Sequence, residues 1–115
     1  MNYQIEKTET HNVIKIKAEK LDSNIAPSIK AELVVMSNNG VKNIIIDLTE
    51  TRYCDSSGLS AILVANRLCK NSEGNLVLVG LQDHVKKLIT ISQLDTILSI
   101  TKTLNEAIEL IDNQK

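Results

Sequence analysis

The chain has no Phe and no Trp, and only two Tyr, one Pro, four Gly and two Cys in 115 residues. Each scarcity excludes something. Nucleic-acid binding needs base-stacking aromatics or a basic surface. This chain offers neither, with 13 Lys plus Arg against 14 Asp plus Glu and a net charge of −1. Cys54 and Cys69 fit no zinc or redox spacing, so they read as small buried hydrophobes in a reducing cytosol. Two His and two separated Cys build no metal constellation, and no cofactor motif is present. No apolar run approaches the ~20 residues of a membrane span. The opening MNYQIEKTET alternates polar and apolar residues and does not read as a secretory leader. Low-complexity linkers and internal repeats are missing as well. The expectation is one small soluble domain spanning 1–115, monomeric when free, without cofactor, metal or membrane insertion.

What the chain does have is aliphatic bulk. Ile, Leu and Val make up 37 residues, enough for a core at a length that buries roughly two-thirds of the unfolded surface. YQIEKTET and NVIKIKAE alternate around His11 and Asn12, which reads as a hairpin with one polar face. Ile25, Ile29, Leu33 and Met36 recur at helical spacing between Ser23 and Asn38. Ser23 or Asn24 can cap that helix, Pro27 falls in its first turn, and Gly40 follows its end. VKNIIIDL and NLVLVGL are strands covered on both faces. LSAILVANRLCK is a helix with Leu59, Ile62, Leu63 and Cys69 near one face, and DHVKKLITIS is another, using Val85, Leu88 and Ile89. A short strand around ILSI precedes a closing helix, TLNEAIELI, capped by Thr103. The order ββαβαβα(β)α predicts an α/β fold, with about four or five strands in a mostly buried mixed sheet and about four helices. Lys15, Lys17 and Lys20 read as a solvated run along a strand edge, and Lys86 and Lys87 as a wet helix face.

The chemistry of interest lies in YCDSSGL, residues 53–59. A serine nucleophile needs a histidine base held by a carboxylate. His11 belongs to the predicted hairpin turn and His84 to the start of the third helix, and sequence logic places neither beside Ser57. The segment also lacks the Gly-x-Ser-x-Gly elbow and the glycines and lysine of a phosphate cradle. Capping physics remains. A helix starts here, and Asp55, Ser56 and Ser57 can each accept from its unpaired N–H groups.

The same stretch, with IIIDLTETRY before it, NLVLVGLQDHVKKLITISQLDTILSITKTLNEAIELI after it and KLDSNIAPSIKAEL upstream, resembles the STAS domain of bacterial anti-sigma-factor antagonists. The resemblance covers nearly the whole chain. It implies a mixed sheet partly covered by helices and a regulatory protein that is not an enzyme. It implies a cytoplasmic partner that is both an anti-sigma factor and a serine kinase, and a serine phosphatase that resets the switch. By motif position the phosphoacceptor falls on Ser57, with Asp55, Ser56 and Gly58 around it and Asp22 of the Leu-Asp pair near the same surface. Ser56 is expected mainly to support the turn. Lys20 stands where many members carry a glycine before the Leu-Asp pair, and Tyr53 and Cys54 stand where small or aliphatic residues are common. The alternatives are a subunit of a transport or signalling assembly in which the serine is only a cap, and a small-molecule or nucleotide-binding module.

Overall fold

The computed structural model describes residues 2–113. Strands β1 (Tyr3–Lys7) and β2 (Asn12–Ile16) form the expected antiparallel hairpin, but only β1 keeps a polar face: Ile14 and Ile16 of β2 enter one core and Val13 the other. A two-residue strand, β3 (Lys20–Leu21), precedes helix α1 (Ala26–Asn38), and β4 (Ile44–Asp47) follows it. A second two-residue strand, β5 (Tyr53–Cys54), leads into α2 (Ser56–Asn71). Strand β6 (Leu76–Val79), helix α3 (Asp83–Ile91), one 3-10 turn (Leu94–Thr96), strand β7 (Ser99–Thr101) and helix α4 (Leu104–Asp112) complete the chain.

The main sheet has the order β1-β2-β4-β6-β7, with the hairpin antiparallel and every other pairing parallel. This is the mixed α/β sheet expected. Strand periodicity of two sends alternate residues to opposite faces, and here both faces are covered. Ile44, Ile46 and Leu78 pack under α1, α2 and α3 in the larger core. Ile45, Val77 and Val79 pack with Val13 under Ala107 and Ile111 of α4. That explains why IIID and LVLV are apolar without interruption.

Four further expectations need correction. Neither Ser23 nor Asn24 caps α1: its N-cap is Ile25, without a side-chain bond. The Asp22 carbonyl instead accepts from the Ile25 and Ala26 N–H groups, and the Asp22 carboxylate from the Asn24 N–H. Of the lysine run, Lys15 is not on a sheet edge, because β2 lies between β1 and β4, and it pairs with Glu50 at 3.5 Å; Lys17 follows the end of β2, and Lys20 alone sits on an edge, in the two-stranded β3–β5 sheet. Leu63 faces outward on α2, while Ala61, Ile62, Ala65 and Cys69 fill the buried face. Lys20 needs no glycine-like backbone, since the positive-φ residues among those described are Gly40, Glu73, Gly80 and Gln93. Pro27 in the first turn of α1, Gly40 after its end and Thr103 capping α4 stand as expected.

Candidate functional site

Strands β2 and β4 are parallel neighbours, and the chain runs past the end of each into a short loop. The buried Thr51 hydroxyl donates to the Ala18 carbonyl at 3.0 Å, tying one loop to the other. The Glu19 carbonyl then accepts from the Arg52 and Tyr53 N–H groups, and β3 and β5 pair in parallel, Lys20 with Tyr53 and Leu21 with Cys54. The Asp55 N–H closes this ladder on the Leu21 carbonyl at 3.3 Å. The two segments therefore act as one clip that carries Asp22 and Asp55 to the same place. Both line a cleft of about 190 Å3 shared with Lys20, Leu21, Tyr53 and Cys54.

Asp55 is the N-cap of α2. Its backbone is extended, its carboxylate accepts from the Gly58 N–H at 3.0 Å, and its carbonyl takes the first helical bond from Leu59. Among the three capping candidates, the aspartate alone does the capping. Ser56 and Ser57 occupy the first two helical positions, Ser56 exposed and Ser57 partly buried. Among the described residues neither hydroxyl makes a hydrogen bond, so a turn-supporting role for Ser56 is not seen.

Gly58 is fully enclosed. A methyl on its α-carbon would overlap the Leu21 carbonyl oxygen and lie 2.7 Å from the Cys54 sulfur. The glycine lets the first turn of α2 lie directly on the clip. Beneath it, burial and secondarily the Asp55 charge push the Cys54 thiol up to about 11. Burial likewise pushes Cys69 to about 11, partly offset by a hydrogen bond with the Ile44 backbone. Both thiols are free, buried and protonated at neutral pH.

Of the residues singled out in the sequence, Asp22, Asp55, Ser56, Ser57 and Gly58 gather at the clip and the start of α2. His11 is buried in the β1–β2 turn, with its Nδ1 within hydrogen-bond reach of the Thr8 and Thr10 hydroxyls. His84 is at the start of α3, with its ring 5.0 Å from that of Tyr53 in an edge-on arrangement. Apolar spacing gives no sign of that neighbour. The one available signal was Tyr53 itself, an aromatic two residues before the cap in a chain with only two Tyr. No group of three or more His, Cys, Asp or Glu is placed to hold a metal among the described residues. No helix among them is long and apolar enough to cross a membrane.

A family model described as the STAS domain matches residues 2–107. An anti-sigma-B factor antagonist of Listeria monocytogenes is 30% identical over 106 residues, covering 92% of this chain and 93% of its own. An anti-sigma-factor antagonist (STAS) domain protein of Planctomyces limnophilus shares the fold with a TM-score of 0.85 at 15% identity, covering 96% of this chain and 97% of its own. The Bacillus cell fate determinant SpoIIAA, solved in its phosphorylated form, gives a TM-score of 0.77 at 25% identity, covering 95% of this chain and 98% of its own.

Proposed function

Because the chain belongs to the STAS-domain family, we propose that it works as a single-domain anti-sigma-factor antagonist in a bacterial cytoplasm. It binds an anti-sigma factor that is also a serine kinase and so frees a sigma factor. Phosphorylation of Ser57 ends the contact, and a serine phosphatase restores it. The protein itself catalyses nothing in this cycle. Its working parts are Ser57 as acceptor, Asp55 and Asp22 as charged neighbours, Gly58 as the close contact and Ser56 as an exposed edge of the docking surface.

The observation that carries this reading is the division of labour at the start of α2. Asp55 supplies the cap, which leaves the Ser57 hydroxyl without a structural task among the described residues. That weighs against an assembly subunit whose serine serves only as a cap. A phosphate on Ser57 adds about −1.5 to −2 charge and three acceptor oxygens. The N–H groups of Ser56 and Ser57 have no hydrogen-bond acceptor among the described residues, and a helix N-terminus favours an anion by about 0.3–1 kcal/mol. The fold therefore tolerates the group. A partner packed on this surface does not: a dianion buried without counter-charge costs several kcal/mol, whereas an interface hot spot is worth about 2 kcal/mol or more. The switch acts on binding and spares folding.

The test is intact-mass analysis after incubation with ATP and the serine-kinase anti-sigma factors encoded in the same genome. The proposal expects one added phosphate, retained in Ser56→Ala and lost in Ser57→Ala. Modification on Ser56, or none at all, contradicts it.

A further inference from the structure

Resting on that reading, we infer that Arg52, Tyr53 and His84 form a docking platform for the kinase that modifies Ser57, a contact separate from the charge on the serine itself. Ser57 is the second residue of a capped helix, not part of an extended strand that an enzyme could read as a peptide. Opening that turn would forfeit the Asp55 cap and the Gly58 packing, so the enzyme meets a folded surface. An interface buries about 800 Å2 on each partner, far more than one helical turn provides. A protein reaching Ser57 must also cover what lies around it.

What lies around it is unusual for this chain. Tyr53 is 40% exposed, in a protein whose other Tyr commits its hydroxyl to Glu32 at 2.9 Å. Tyr53 stands between the cleft it shares with Asp22 and Asp55 and a second cleft of about 240 Å3, lined also by Arg52, Gln82, Asp83 and His84. The ring is held before any partner arrives. His84 meets it edge-on at 5.0 Å and 67°, and the Arg52 guanidinium lies 5.8 Å from its centre. A pre-set ring loses little conformational entropy on binding, and Tyr and Arg are enriched among residues that dominate interfaces. The Arg52 pairing with Glu19, at 3.4 Å with side chains 61% and 57% exposed, is weak enough to exchange for a partner's carboxylate. The Tyr53 hydroxyl has no bond among the described residues, so the ring, not the oxygen, is the feature offered.

The experiment measures binding and phosphate transfer with the purified kinase that modifies the wild-type protein. Tyr53→Ala should weaken binding at least tenfold and raise KM for the antagonist with kcat little changed. Tyr53→Phe should retain wild-type affinity, and Tyr3→Phe, on the edge strand β1 of the main sheet, should do the same. His84→Ala should give an intermediate loss, and circular dichroism with thermal unfolding should find all four variants folded. If the wild type is modified but Tyr53→Ala binds within twofold of it, the platform is refuted while the phosphorylation reading stands. Should no kinase of that genome modify the wild type, both fail together.

Discussion

At the scale of single residues, the site depends most on the one that adds nothing. Gly58 lies against the Leu21 carbonyl and the Cys54 sulfur, and neither backbone nor buried sulfur can yield cheaply. Overpacking of this kind costs about 1–3 kcal/mol, so Gly58→Ala should lower the urea midpoint by a corresponding amount. An unchanged midpoint would mean that α2 does not sit on the clip as described. Ser57→Ala should stay within about 0.5 kcal/mol of wild type, because Asp55 holds the cap, while Asp55→Ala should lose about 1 kcal/mol. Comparable losses at both positions would reassign the cap. The thiols give a pH signature. Burial raises both from the usual 9.0 to about 11, so between those values the folded state holds more protons than the unfolded chain. Their contribution is complete below about pH 9 and falls away as pH rises through 11. Urea titrations across pH 8–11 should reveal that decline, steeper than in a Cys54→Ala, Cys69→Ala variant, and a thiol reagent should react with the native protein far more slowly than with the unfolded one.

At the scale of elements, long periodic segments were legible and two-residue ones were not. Four helices and four strands of the main sheet follow from apolar spacing, because burial on one or two faces writes itself into composition; β7, which is nowhere buried, left only the short apolar stretch ILSI as its mark. The clip of β3 and β5 leaves no such mark: it consists of Lys20, Leu21, Tyr53 and Cys54 and exists because the flanking β2 and β4 are already parallel neighbours. That pairing explains the placement of Asp22, which resemblance suggested and periodicity could not. The cap of α1 departs from its sequence signal for a related reason. Ser23 and Asn24 have the right chemistry, but the tight turn is held by the Asp22 carbonyl and carboxylate instead. At α4 the capping box was readable, since Thr103 and Glu106 satisfy each other's backbone N–H groups. Thr103→Ala should cost about 0.5–2 kcal/mol, detected as a lower unfolding midpoint. It should leave phosphate uptake by Ser57 unchanged, because α4 covers the face of the sheet opposite α2. A parallel loss of uptake would show that the two faces are coupled.

At the scale of the whole molecule, a sheet covered on both sides presents the start of α2 as a rigid surface. Nothing in the design asks the fold to move when a phosphate arrives. On the proposed reading the free N–H groups at the helix start donate to the phosphate, and the consequence falls on whatever is docked there. The most direct measurement prepares the protein in unmodified and Ser57-phosphorylated forms, then compares affinity for the purified anti-sigma factor with the urea midpoint of each form. The account predicts a loss of affinity of at least tenfold with midpoints that differ by less than the equivalent of about 1 kcal/mol. Equal affinities, or a loss of binding matched by a collapse in stability, would contradict it.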